Sequence, residues 1–431
     1  MVIKFILPTT LATLLLSQGA AFAQEAAVAE AALSPTLQRL LFLAAALVFL
    51  SIAFVMGRNR ATAMRNTVAM MHSLPGFHGA VAVQWGALGA LVGVIAHAVT
   101  GYPMGMLGAV IFAVALALMG VAYALTTIKP DFRARTFTER SVMAFLILCS
   151  LVAVLTTVGI VASLVFETAH FFRLYPASEF FFSTEWNPQF RGGSSLGIWP
   201  LIWGTLYVSA IALIVAVPIG LMSAVYLAEY ATPRVRSWVK PAIEILAGIP
   251  TIVYGLFALI TVGPLLRDYF AQPMGFGDSS SSVMTAGLVM GIMVIPFVSS
   301  LSDDIINAVP QSLRDGSLGL GATPSETVRK VVLPAALPGI VGAVLLAASR
   351  AIGETMIVVM GAGAAAKLSL NPFEAMTTVT VKIVSQLTGD TEFASPETLV
   401  AFALGLTLFT LTLGLNIVAL VIVRKYREQY E

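Results

Sequence analysis

Asp315-Gly316-Ser317-Leu318-Gly319-Leu320-Gly321-Ala322, running on through Thr323-Pro324-Ser325-Glu326 to Val331-Val332-Leu333-Pro334, is a polar, charged stretch set between long apolar segments. Its local signals predict two short helices around a tight turn. Pro310 opens the first, because a missing N–H costs nothing in a first helical turn. Gly321 supplies the positive φ that ends it. Thr323, Pro324 and Glu326 carry a capping-box signature, with Thr323 as N-cap, Pro324 at N1 and Glu326 at N3. Val328, Val331 and Val332 fall on one face of the second helix, while Glu326, Arg329 and Lys330 keep the other polar. Pro334 is expected to stop it. A helix-turn-helix carried between two membrane spans is suited to fitting a groove on a soluble partner.

The surrounding sequence is that of an all-α, polytopic membrane protein. Of 431 residues, 58% are hydrophobic and 11% charged, against about 25% charged in an average soluble domain. Nine apolar spans, near 35–56, 80–99, 105–126, 142–166, 199–228, 241–263, 283–306, 338–362 and 399–423, are each long enough to cross about 30 Å of hydrocarbon. Residues 1–23 read as a secretory signal or signal-anchor helix, with Lys4, an apolar run to Leu16, and Ala21-Phe22-Ala23 before Gln24. Residues 24–140 then form a membrane extension of about three helices, and 141–431 a six-helix core interrupted by the polar loop at 310–338.

The basic residues give the orientation. Arg58, Arg60 and Arg65; Lys129, Arg133, Arg135 and Arg140; Arg234, Arg236 and Lys240; Arg314, Arg329 and Lys330; and Arg424, Lys425 and Arg427 sit in five separate segments. Threading nine spans alternately puts all five on one side, which the positive-inside rule makes cytoplasmic. The C-terminus and the 310–338 loop are therefore expected to face the cytoplasm of a bacterial inner membrane.

Several function classes are disfavoured. His72, His78, His97 and His170 have no metal-ligand spacing, and Cys149 has no partner, so neither a metal nor a cofactor is expected. Basic residues are dispersed among loops rather than gathered on a face, which argues against nucleic acid. No G-x-x-x-x-G-K-[ST] is present, so any ATP chemistry comes from another subunit and the chain is not itself an enzyme. Asp303 and Asp304 read as a solvated helix end, Trp199 and Trp203 as interfacial anchors, and residues 373–387 as a short interfacial helix.

Arg350 and Glu354 are the sharpest candidates for substrate handling. They lie near the middle of the span 338–362, and their i,i+4 spacing puts them on one helical face. A charge at that depth costs about 2.5–3.5 kcal/mol on insertion scales, so such residues face a bundle interior and pair. The pair serves either a transport path or an interhelical salt bridge.

The polar loop resembles the EAA loop of ABC-importer permeases: Asp315 stands for the Glu, Gly316 and Ser317 for the two Ala, Gly321 for the Gly, Val331 for the Ile, and Leu333-Pro334 complete the pattern. Three further stretches, Trp199–Thr205, Glu244–Gly255 and Arg350–Met356, make the chain from about 142 onward similar to the PstC family of phosphate-importer permeases. His72-Ser73-Leu74-Pro75-Gly76, in the extension, is similar to longer members. The resemblance implies transport of inorganic phosphate with a second, PstA-like permease. It further implies a PstB-like ATPase dimer docked on Asp315, Gly316, Ser317, Gly321, Leu333 and Pro334, and a PstS-like periplasmic phosphate-binding protein. The sister PstA subunits share the general pattern. A permease for another oxyanion, or an ion-gradient-driven carrier, is the alternative.

Overall fold

The computed structural model describes residues 35–67, 71–100, 106–189, 193–389 and 395–427; the expected signal at 1–23 lies outside them. In chain order the elements are helices α1 (Pro35–Thr67), α2 (Pro75–Thr100), α3 (Met106–Thr127), α4 (Ala134–Leu174) and α5 (Ala177–Phe182), then strands β1 (Trp186–Asn187) and β2 (Ser195–Leu196). Helices α6 (Trp199–Tyr230), α7 (Pro233–Gly248), α8 (Thr251–Ala271), α9 (Val283–Asn307), α10 (Gln311–Gly319), α11 (Pro324–Ile352), α12 (Met356–Gly361), α13 (Val379–Gly389) and α14 (Pro396–Arg427) follow. Among the described residues nine helices are long and apolar enough to cross a membrane: α1, α2, α3, α4, α6, α8, α9, α11 and α14. The chain divides into two compact units, one up to Leu155 and one from Thr156 onward.

In the first unit α1, α2 and α3 pack side by side. The α2–α3 contact is close because glycines remove side chains from it. A Cβ at Gly89 would stand 2.2 Å from the Leu116 carbonyl oxygen, and one at Gly120 would stand 2.1 Å from that of Trp85. Small residues let membrane helices approach in this way, where packing replaces the hydrophobic effect. The polar ends are tied by Arg135 N donating to Ser73 Oγ (3.3 Å) and His72 N donating to the Pro130 carbonyl (3.1 Å).

The second unit is built on α6 and α9. Their shared core is formed by Val208, Ile211, Ala212, Met290, Val294 and Val298, and α8, α11 and α12 pack around it. Gly287 and Gly291 let α9 seat against Ile211 and Val215 of α6. Ser282 caps the start of α9 through its hydroxyl. Two first-turn N–H groups find carbonyls outside the helix, Val283 N on Glu374 O (3.1 Å) and Met284 N on Pro372 O (2.8 Å).

Those carbonyls belong to an irregular strap, residues 362–378, where a short interfacial helix over 373–387 was expected. Helix α13 begins only at Val379. The strap is held by backbone acceptors: Trp203 Nε1 donates to Ser369 O and Tyr207 Oη to Leu370 O, each at 2.8 Å. Trp203 is therefore a strap anchor. Phe171, Tyr175, Phe180 and Trp186 close the same end with β1 and β2, which pair antiparallel as Trp186↔Leu196 and Asn187↔Ser195.

Two of the nine expected spans are displaced. The span 241–263 contains a break: α7 ends at Gly248, Ile249 is extended (φ −69, ψ 128), and α8 starts after Pro250. Proline disfavours the helical region for the residue before it. The span 338–362 also breaks, at Gly353, and the helix feeding it starts earlier, at Pro324.

Candidate functional site

The polar hairpin folds largely as its residues dictate. Helix α10 follows Pro310 directly, Gly321 turns the chain with φ +89, and Thr323 and Glu326 complete a reciprocal capping box. Val328 and Val332 are buried, while Glu326, Arg329 and Lys330 are exposed. One expectation fails: Pro334 does not end the second helix. The turn Val328–Val332 widens to i→i+5 bonding, with Leu333 N donating to Val328 O. The ring that would clash with an ordinary turn is thereby accommodated, and α11 continues to Ile352.

Of the proposed docking residues, Asp315, Gly316, Gly321 and Pro334 are exposed, and Ser317 and Leu333 half-buried. Asp315 accepts from Gln311 Nε2 (3.0 Å), and Ser317 Oγ lies 3.0 Å from Thr327 Oγ1, joining the two helices. A Cβ at Gly316, Gly319 or Gly321 would meet nothing of this chain within 4 Å. Leu318 and Leu320 are exposed, Leu320 by 91%. The hairpin thus presents small and apolar residues that its own fold does not cover.

Beside it lies an ion-pair knot that sequence reasoning missed. Asp303, expected to be solvated, is 1% exposed. It accepts from Arg236 Nη2 (2.9 Å) and Lys240 Nζ (2.8 Å) of α7, with Asn307 Nδ2 completing the set at 3.0 Å. A carboxylate is tolerated there because two cations and an amide satisfy it, and Asp303 in turn pushes the Lys240 ammonium pKa above its ordinary value. The sequence signal was available: Arg236 and Lys240 are four apart on α7 and so share a face.

The two helix breaks lie side by side. A Cβ on Gly255 of α8 would meet the Met356 carbonyl oxygen at 3.0 Å and Met360 Sδ at 2.8 Å. Across the α7–α8 break, buried Tyr254 donates its hydroxyl to Leu246 O (2.8 Å), a last-turn carbonyl that otherwise receives only a long bond from Ile249 N (3.4 Å).

At the other break the expected Arg350–Glu354 geometry is overturned. Arg350 occupies the last turn of α11, and Glu354 lies beyond its end. They do not share a helical face, and among the described residues no ion pair joins them. Glu354 Oε1 instead accepts from Thr355 N and Met356 N, both at 3.1 Å, capping α12. Thr380 Oγ1 donates to the Glu354 carbonyl at 2.8 Å. Arg350 is exposed, with its guanidinium carbon 5.9 Å from the centre of the Phe297 ring. The sequence period could not see this, because a break resets the helical phase between residues 350 and 354.

Comparison with known proteins fits this architecture. The family of binding-protein-dependent transport system inner membrane components matches residues 216–428. A family described as phosphate ATP-binding cassette transporter matches residues 40–105, within the extension. The phosphate transport system permease protein PstC 1 of Mycobacterium tuberculosis is 37% identical over 278 residues, covering 57% of this chain and 81% of that protein. The chain belongs to the PstC family. PstC of Pasteurella multocida is 35% identical over 63% of this chain and 87% of its own length. Among solved structures the MetNI methionine ABC transporter, in inward-facing conformations, aligns at 22% identity with a TM-score of 0.41, over 53% of this chain and 96% of that one. As a PstC-family member the chain is a multi-pass permease subunit of a phosphate ABC importer.

Proposed function

We propose that this subunit forms a phosphate path together with a PstA-like permease, in a complex powered by a PstB-like ATPase dimer and fed by a PstS-like binding protein. Residues 24–140 serve as a membrane extension and 141–431 as the transporting core. The reading is carried by the α10–turn–α11 hairpin, whose Asp315, Gly316, Ser317, Gly321, Leu333 and Pro334 are the docking residues. Its Gly positions and Leu320 face away from the chain's own core, as a surface for close approach by a partner requires. Helix α7 carries Arg234, Arg236 and Lys240, α10 carries Arg314, the start of α11 carries Arg329 and Lys330, and the end of α14 carries Arg424 and Lys425, which supports a cytoplasmic hairpin and C-terminus in a bacterial inner membrane.

Arg350 is the proposed phosphate contact. An anion leaving water needs a compensating charge, and a guanidinium fork matches phosphate oxygens while staying charged at any working pH. Arg350 is exposed and without an ion-pair partner among the described residues, which leaves its donors free for a ligand. Glu354 is assigned to the path as well, but through the break it caps: non-helical backbone at membrane depth is tolerated where it lines a cavity.

The test is Gly321→Trp. At φ +89 any side chain strains the turn, while the spans stay untouched. Insertion should persist and uptake per ATP hydrolysed should collapse. Wild-type uptake by the assembled variant refutes docking at the hairpin.

A further inference from the structure

We propose that Arg314 is the joint through which a displacement of the docked hairpin reaches α6 and α9; this rests on the ATPase docking at α10 proposed above. The Arg314 guanidinium reaches out of α10 to two other helix ends. Its Nη2 donates to Glu229 Oε1 (2.8 Å) and its Nε to the same oxygen (3.3 Å), at the last turn of α6. Nη2 also donates to the Ile306 carbonyl (2.8 Å), in the last turn of α9, and Nη1 donates to that of Val309, in the link that follows it. The Arg314 and Glu229 side chains are each only 13% exposed.

Among the described residues, Arg314 makes every hydrogen bond that runs from α10 to α6 or α9. The remaining ones stay within the hairpin: Gln311 to Asp315, and Ser317 to Thr327. Helix α10 buries none of its residues, so no apolar side chain of its own anchors it to those helix ends. The backbone link 308–310 joins α10 to α9, and α11 packs Val332, Ala336 and Ile340 with Ala224 of α6 and Ile306 of α9; Arg314 is the side chain that ties α10 itself to both helix ends. A planar, five-donor guanidinium is the group that can grip a carboxylate and two carbonyls at once; an ammonium on a flexible stem cannot reproduce that geometry. Three shielded, charge-assisted contacts are stiffer than an exposed ion pair.

What Arg314 grips is itself rigid. Ala212, Ala216, Met290, Val294 and Val298 of α6 and α9 are 0% exposed. On the same contact, a Cβ on Gly220 would fall 2.9 Å from Val298. A close-packed helix pair transmits strain rather than absorbing it. A push on α10 that turns Glu229, Ile306 and Val309 thereby moves both helices along their length, and the strap that covers their other ends.

The experiment uses the complete complex in proteoliposomes with phosphate-loaded binding protein, measuring ATP hydrolysis and phosphate uptake together. Arg314→Met and Glu229→Gln are compared with wild type. A third variant carries Arg314→Cys and Glu229→Cys in a Cys149→Ser background, assayed before and after bridging with a bifunctional thiol reagent of matching reach. The joint predicts that the ATPase still co-purifies with each variant. Uptake per ATP should fall about tenfold in Arg314→Met, equivalent to ~1.4 kcal/mol of lost coupling, and less in Glu229→Gln, which keeps an acceptor. Bridging the two cysteines should restore coupling, which a purely local folding role would not do. Normal coupling in Arg314→Met with the ATPase in place overturns the joint and leaves docking intact. Loss of the ATPase from Arg314→Met assigns Arg314 to the docking surface and also overturns it, as does a bridged variant that stays uncoupled. Failure of docking itself is read separately, from Gly321→Trp.

Discussion

Replacing Asp303 with Ala should loosen α7 by an amount that the structure bounds. The carboxylate side chain is 2% exposed, whereas its partners Arg236 and Lys240 are 32% and 30% exposed. Removing one member of a fully buried ion pair costs about 3–5 kcal/mol, because the partner is left uncompensated; an exposed pair is worth about 0–1 kcal/mol. Here the orphaned cations can turn partly to water, so the loss falls between these limits, at about 2 kcal/mol. No α7 side chain is fully buried, so the knot at its start and Tyr254 at its end dominate its attachment. The loss should appear as local opening of α7 rather than global unfolding. Hydrogen exchange in the assembled subunit should quicken by roughly 30-fold for α7 amides, while amides around Met290 and Val294 in α9 stay protected. A change of less than about threefold in α7 would mean that the knot does not hold the helix, and the energetic reasoning would fail.

Three further outcomes are expected. Arg350→Ala should cut phosphate uptake roughly 100-fold in equal amounts of assembled complex, from the ~2.5–3.5 kcal/mol cost of an uncompensated charge; Arg350→Lys should retain part of it, and wild-type uptake by Arg350→Ala would remove Arg350 from the path. Tyr254→Phe deletes the hydrogen bond to Leu246 O and should free the Ile249–Pro250 joint by about 1 kcal/mol, roughly fivefold in exchange at Val253 N; unchanged exchange would show the bond to be idle. The bond and charge of Lys367 hold the Glu374 carboxyl below its ordinary 4.5. Its contribution to strap stability is therefore present above that value and lost as pH falls through the lowered one. Acid-induced proteolysis of the strap should follow this course in the wild type and show a weaker pH dependence in Lys367→Met, where only Ser369 and Asn371 still favour the carboxylate; an unaltered profile would dismiss the pair.

Much of the hairpin was legible in the sequence because its determinants are local. A positive φ at Gly321 and a reciprocal Thr323–Glu326 cap act within four residues, and both signals hold in the fold. Hydropathy likewise located the nine membrane-length helices found among the described residues, since length and apolarity are properties of single segments. The contacts made at a distance were not legible. Asp303 meets Arg236 and Lys240 across more than sixty residues, and Arg314 meets Glu229 across 85. Neither separation has a period to read. Pro334 misled for a related reason: a widened turn upstream accommodates its ring, and the widening is held by tertiary burial of Val328 and Val332.

The broken spans show where a hydropathy window and the backbone part company. Over 338–362 the average is apolar and continuous, so the window predicts one helix with two charges aligned along it. The backbone instead stops at Ile352, and ending a helix in an apolar region exposes N–H and carbonyl groups that water cannot satisfy. Glu354 removes that cost locally. Its one carboxylate oxygen takes the first two N–H groups of the following segment, and its own carbonyl receives Thr380. The acid that a window counts as a penalty is what makes the break stable. It follows that Glu354 is not free to neutralise Arg350 while it caps α12. Among the described residues the guanidinium is thereby left without an acidic partner at that break, as the phosphate contact proposed above requires.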